Sequence, residues 1–128
     1  MTDKSTSPAF REKIENGSKL TTLDPGAGHI TIINTYAVAP ERAEALLDRL
    51  VRATAETIRH VPGFVSANFH INLDRTQVVN YAQWRNREAI AAAGADPKVV
   101  ARIREAAQLV ESFTPVLYEF RQSVAACE

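Results

Sequence analysis

From His29 the chain turns β-branched and alternating: HITIINTYAV opens a stretch over residues 29–39 that predicts a strand. Pro40 then starts a run in which Leu46, Leu47, Leu50, Thr54 and Ile58 recur at helical spacing, so an amphipathic helix is expected over residues 40–60, ending near HVPG. A second strand, FVSANFHINL, runs to Leu73, turns through Asp74-Arg75 and returns as TQVVNYAQW. That is a hairpin, on a turn pair poorer than Asp-Gly. Asn86 can cap a short helix through REAIAAA, and Asp96-Pro97 starts another that carries Val99, Ile103, Ala106, Ala107 and Val110 on one face. The last segment, SFTPVLYEFRQSV, reads as a strand; Pro115 inside it lacks the N–H a central ladder needs and places it at a sheet edge. The order βαββαβ predicts an α+β domain. It is a ferredoxin-like antiparallel sheet with the first and third strands central, the second and fourth at the edges, and the helices on one face.

Parity along these strands assigns the faces. A hairpin closing symmetrically about Asp74-Arg75 pairs Leu73 with Thr76, Ile71 with Val78, Phe69 with Asn80, Ala67 with Ala82 and Val65 with Trp84, all on one side. Apart from Thr76 and Asn80 that row is apolar and belongs beneath the helices. On the first strand Ile30, Ile32, Asn34, Tyr36 and Val38 share a parity, again with one Asn in an apolar row. A single buried amide is more often structural, but two on the same face of adjacent strands point to a site. Trp84 lies four residues past Asn80, about 13 Å at strand rise, and its indole can lean back over the space between. The expectation is a small-molecule pocket between sheet and helices, with Asn34, Asn80 and Trp84 as convergent donors and Tyr36, Phe69 and Val65 as walls. His70 falls on the other parity, and Arg102 and Arg104 read as the solvated margin of the last helix. The opposite face mixes Ile33, Ala37, Val79 and Tyr81 with Thr31, Thr35, Asn68, His70 and Gln83, too apolar for open solvent. A second copy packed sheet to sheet is its expected cover, making a homodimer.

Residues 1–28, rich in Ser, Thr, Lys and Gly and closing on LDPGAG, read as an N-terminal arm before one domain over 29–125. Within the arm, Ser7-Pro8 can start and Asn16-Gly17 stop a short helix with Phe10 and Ile14 one turn apart, suited to docking on the domain or on a partner chain. Lys plus Arg and Asp plus Glu both total 15, so there is no electrostatic footprint for nucleic acid or an anionic membrane. No run approaches the ~20 apolar residues of a membrane span, and MTDKSTSPAF lacks the apolar centre of a signal peptide, so a cytoplasmic protein is expected. Cys127 is the sole cysteine, and His29, His60 and His70 lack the paired spacing of a metal site; no metal is expected.

HVPGFVSANFHINL, then VVNYAQWRNREA, and later ESFTPVLYEF resemble the antibiotic biosynthesis monooxygenase family, particularly its tetracenomycin-type anthrone oxygenases, over about residues 29–124. In that group a first-strand Asn, a third-strand Asn and a Trp four residues after it form the site, and these fall here on Asn34, Asn80 and Trp84. The resemblance implies a dimeric ferredoxin-like enzyme that oxidises anthrone-type polyketides with O2, as co-substrate, to quinones, without flavin, haem or metal. Two departures lie at the hairpin end: NLDRTQ stands where LDGT is expected, and Ile71 replaces an Arg after His70. Three alternatives stand beside it. Haem degradation on the same fold is disfavoured because no histidine follows His70. The others are a non-catalytic dimeric binding or stress module, and a polyketide cyclase or isomerase that uses the same enolate without O2.

Overall fold

The structure, a computed structural model, describes residues 20–127; the short helix expected around Phe10 and Ile14 lies outside the described residues. The elements are β1 (Ile30–Ala37), α1 (Ala43–Glu56), β2 (Phe64–Ile71), β3 (Gln77–Trp84), α2 (Arg87–Ala95), α3 (Pro97–Ala107) and β4 (Ser112–Glu119). The strands form one antiparallel sheet in the order β2-β3-β1-β4, with β1 and β3 central and Pro115 on an edge strand, the expected α+β ferredoxin-like arrangement. No helix among the described residues is long and apolar enough to cross a membrane.

Local chemistry sets the element ends. The helix expected from residue 40 begins with a 3-10 turn, Pro40–Arg42, and its α-helical part closes at Glu56 before a second such turn, Ile58–His60. Its buried stripe is Ala43, Leu46, Leu50 and Ala53, the i, i+3, i+4 spacing of one helix face. The side chain of Asn86 accepts from the Ala89 N–H at 2.9 Å to cap α2, and Asp96 accepts from the Lys98 N–H at 2.9 Å to cap α3. Each cap contributes about 1 kcal/mol.

Two features of the hairpin depart from the symmetric drawing. Its register is as expected, with Ile71 opposite Val78, Phe69 opposite Asn80 and Ala67 opposite Ala82. The strands nevertheless part sooner, and Leu73 is 98% exposed instead of paired with Thr76. A two-residue primed turn needs two left-handed residues, which Asp-Arg resists. The loop widens instead, with only Arg75 left-handed (φ 63°) and the Asn72 carboxamide accepting from the N–H groups of Thr76 and Gln77, both at 2.8 Å. The second departure is a bulge at the start of β2: Phe64 and then Ser66 oppose Trp84 and Gln83, leaving Val65 as the extra residue. The bulge rotates Phe64 onto the helix-facing side and turns Val65 away from it. Gly63, at φ 92°, sets this up, because a Cβ there would meet the Ala89 Cβ at 2.4 Å as α2 crosses over the strand end.

On the opposite face the chain covers part of its own sheet. The Gln83 amide donates to the Thr22 carbonyl and to the Ser66 hydroxyl, both at 2.9 Å, and the Thr21 hydroxyl donates to Asn68 Oδ1 at 2.7 Å. Gln83 is thereby among the most buried polar residues, and its cross-strand neighbour Thr31 is as enclosed although its hydroxyl makes no hydrogen bond among the described residues. Beyond this strap, Val116 and Tyr118 of β4 stay exposed.

Beneath the helices the core divides into two clusters. One gathers Val38, Ala43, Leu46, Leu50, Val78 and Ala106. The other gathers Val61, Ala82, Trp84, Ala89, Ala93 and Val99 around the far ends of the same strands. Helix α3 packs chiefly against α1 and α2 and stands off the sheet.

Candidate active site

Asn34 and Asn80 are direct cross-strand partners at the middle of β1 and β3, pointing to the same side of the sheet. Above them, under α3 and between the two core clusters, lies a cavity of about 350 Å³. Its floor is Ile32, Asn34, Tyr36, Ala67, Phe69, Asn80, Ala82 and Trp84, the inward parity of the strands. The roof sets small residues, Ala53 from α1, Ala93 and Gly94 from α2, and Ala106 and Ala107 from α3, among larger ones such as Leu50, Ile90 and Val99. Small residues there leave the space that α3, held off the sheet, encloses.

Five of the six residues expected at the site line this cavity: Asn34, Asn80, Trp84, Tyr36 and Phe69. Val65 does not. The β2 bulge turns it into a neighbouring groove of about 370 Å³ beside α1, and Phe64 takes its place on the cavity wall, edge-on to Trp84 with ring centroids 5.4 Å apart. Arg102, expected on the solvated margin, also lines the cavity. So do Phe113 and Pro115, because β4 flanks β1 with Pro115 opposite Asn34. Arg102 had a legible signal, since it follows Val99 by three and precedes Ala106 by four on the same helical stripe. The bulge that brings in Phe64 had none.

The polar groups in this apolar space are set apart by their partners. The backbone N–H of Asn68 donates to Asn80 Oδ1 at 3.2 Å. Because that donor can only meet the carbonyl end of the carboxamide, the Asn80 Nδ2 end is left facing the cavity. Among the described residues, the Asn34 carboxamide, the Trp84 indole N–H and the Tyr36 hydroxyl make no hydrogen bond. Tyr36 stacks on Phe113 across the β1–β4 pair at 4.9 Å, and burial pushes its phenol up to about 12, so it stays protonated at any ordinary pH. Among the described residues, no Asp, Glu or His lines the cavity. Nor, among the described residues, do three or more His, Cys, Asp or Glu side chains gather to hold a metal ion. What remains is a small, largely apolar chamber with neutral hydrogen-bond donors on its floor and the Arg102 guanidinium in its lining, suited to a flat aromatic that develops negative charge on oxygen.

The sequence profile of the antibiotic biosynthesis monooxygenase family matches residues 29–105, more than half of the chain. The chain belongs to this family. The tetracenomycin-F1 monooxygenase of Streptomyces glaucescens is 48% identical to it over 80 residues, covering 62% of this chain and 71% of that protein. Among solved structures, a Streptomyces coelicolor monooxygenase from the gene ActVA-Orf6, in complex with nanaomycin D, matches with a TM-score of 0.73 and 30% identity over 81% of this chain and 96% of that one. SnoaB, a cofactor-independent oxygenase from Streptomyces nogalater, matches with a TM-score of 0.62 over 77% of this chain and 99% of that one; at 24% identity that likeness bears on the fold. Family and curated relative agree on the enzyme class, monooxygenase, that the resemblance implied.

Proposed function

We propose that this antibiotic biosynthesis monooxygenase oxidises an anthrone-type polycyclic polyketide with O2 to the corresponding quinone, using Asn34, Asn80 and Trp84 as its catalytic residues and no flavin, haem or metal. One observation carries the reading: inward-facing polar groups without a protein partner converge in a chamber that is otherwise apolar. The polar atoms of Asn34, Tyr36, Asn80 and Trp84 are reached by solvent through the chamber, so they can exchange water for a ligand that accepts their hydrogen bonds.

The chemistry asks for an electron-rich anion and little else. The ring system, held between Tyr36, Phe64 and Phe69, loses a carbon-bound proton to water at the cavity mouth and becomes a delocalised phenolate. Asn34 and the Nδ2 end of Asn80 donate to its oxygen and hold the negative charge in a site of low dielectric. The anion passes one electron to O2, and the resulting radical and superoxide combine at the carbon that lost the proton. The Trp84 N–H hydrogen-bonds the peroxide so formed. Loss of the second hydrogen from that carbon, with cleavage of the O–O bond, gives the ketone and water. One anthrone and one O2 become one quinone and one water.

The active unit in this proposal is a homodimer. The strap at Thr21 and Thr22 covers part of the outer face, and a second copy covers the apolar remainder at Ile33, Val116 and Tyr118. Sedimentation of the wild type against Tyr118→Glu measures this directly, and a monomeric wild type refutes it.

The deciding experiment mixes chelator-treated protein with an anthrone under air and under argon and follows quinone absorbance. Air-dependent turnover that is lost in Asn80→Ala supports the proposal. Conversion of substrate under argon, or turnover only after flavin or iron is added, overturns it.

A further inference from the structure

The groove beside α1 has no part in the proposed reaction. It measures about 370 Å³ and lies between Val51 and Ala55 of that helix and Phe64, Val65 and Phe69 of β2. Val65, the extra residue of the bulge, is turned into it and stays 40% exposed. Strand β2 is also an edge of the sheet, with no strand beyond it. Folded proteins commonly cover such an edge, because its unpaired backbone groups are a template for other chains. Thr21 belongs to the lining of the same groove, while its hydroxyl donates to Asn68 Oδ1 at 2.7 Å. The strap therefore meets the free edge of β2 at this point, and the chain that precedes it starts from the mouth of the groove.

We propose that this groove is the seat of Phe10 and Ile14 from the arm of the same chain. Apart from Met1, these are the large apolar residues of the first 19, and their spacing of four puts them on one side of a helical turn. Three physical arguments select them. The first is reach: Ile14 lies seven residues before Thr21, a stretch that spans up to about 23 Å when extended. The second is room, since a cavity of about 150 Å³ admits a benzene ring, and this groove has space for a phenyl ring and an aliphatic side chain together. The third is the tether. A linker this short holds the segment near the groove at an effective concentration that a free second copy does not match in dilute solution. The seat also bears on the chamber, because Thr54, Phe64, Ala67 and Phe69 line both spaces. A seated arm backs the wall that Phe64 and Phe69 present to the chamber. The family profile starts at residue 29, so this support is a property of the extension that precedes the shared domain.

Two measurements on the full chain test the seat, and neither needs turnover, so they stand apart from the oxidation chemistry. The first is disulfide trapping with the sole native cysteine removed by Cys127→Ser. Ile14→Cys combined with Val65→Cys should link within one chain under mild oxidation, several-fold faster than Ile14→Cys combined with Leu73→Cys, a control on the 98% exposed hairpin position. The second is limited trypsin digestion of the otherwise native protein. A seated arm shields the bonds after Arg11 and Lys13, and Ala55→Glu, which puts a charge into the groove and does not touch the chamber lining, should speed both cleavages several-fold. Equal linking of the two cysteine pairs overturns the proposal, and so does a disulfide between chains, which would assign the groove to the arm of a second copy. Where no disulfide forms with either pair, the digestion decides: faster cleavage in Ala55→Glu sustains the seat, and cleavage at the wild-type rate refutes it.

Discussion

Asn80 has two ends with different duties, and substitution can separate them. Its Oδ1 accepts from the Asn68 backbone N–H on the edge strand β2, while its Nδ2 faces the cavity. Asn80→Ala removes both. The Asn68 N–H then loses its partner in a half-buried setting, where water compensates in part, so the loss of stability should be about 1 kcal/mol. At this chain length that lowers Tm by roughly 3–5 °C. Removing one oxyanion donor from a preorganised site lowers kcat by ~10²–10³-fold, equivalent to about 3–4 kcal/mol of transition-state stabilisation. Asn80→Asp is the sharper test because it keeps the acceptor for Asn68 and the shape of the side chain, and exchanges only the donor for a carboxylate oxygen. Its Tm should fall less than that of the alanine variant. Its kcat should fall at least as far, since the new charge opposes the substrate anion that the amide stabilised. The assay is quinone absorbance under air at saturating substrate, with thermal melts on the same preparations. An Asn80→Asp protein that keeps more than about a tenth of wild-type kcat would refute the reasoning, because 10²–10³-fold is what a working donor supplies.

Three further outcomes test the walls of the chamber. Phe64→Ala should cost about 3 kcal/mol and most of the substrate affinity, whereas Val65→Ala, at an exposed position outside the cavity, should change each only slightly; equal effects would contradict the bulge. Ala53→Leu puts an isobutyl group into the roof, and is expected to exclude an anthrone while leaving Tm level or raised; unchanged substrate affinity in isothermal titration would argue against binding there. Tyr36 ionises near pH 10 in the unfolded chain and about 12 when folded, so its contribution is intact below pH 10 and falls as pH rises through the window between these values. The slope there is about 1.4 kcal/mol per pH unit, and urea midpoints between pH 9 and 11.5 should show it in the wild type and lack it in Tyr36→Phe.

Strand parity carried most of the site. The β1 register, with Asn34 opposite Asn80, follows from two short alternating runs whose apolar rows must face the same helices, and a one-residue slip in either would have moved a whole row into solvent. Pro115 marked its strand as an edge for an equally local reason. What parity missed was long-range. The bulge that swaps Phe64 for Val65 depends on Gly63 meeting Ala89 across the fold, and nothing within VPGFVS announces an extra residue. Asn68 and Gln83 read as polar positions on a face awaiting a second copy, yet these side chains bind Thr21 and Thr22, up to 61 residues earlier in the chain. The widened hairpin lies between these cases. The poverty of Asp-Arg as a turn pair was visible, while the alternative depended on Asn72 turning its carboxamide back onto the loop.

The placement of the chamber follows from how this small sheet divides its tasks. A sheet's cohesion comes from its backbone ladder, which is indifferent to whether the side chain at a given rung is Asn or Val, so two amides can sit at the centre of the two central strands without breaking any inter-strand bond. The side-chain packing lost there is made up at both ends. Leu46, Leu50 and Val78 bind α1 to one end, and Trp84, Val61 and Val99 lock the short helices to the other. Holding α3 on the other helices and away from the strands then leaves a gap over the middle, where Ala53, Ala93, Gly94, Ala106 and Ala107 are too small to fill it. The two carboxamides stand on the two central strands, and the space is open because the weakest layer contact lies above it. Donors fixed on two paired central strands are what the proposed stabilisation of an oxyanion requires, and among the described residues no carboxylate or imidazole lines the chamber, so the proposed chemistry there needs no such group to change its charge.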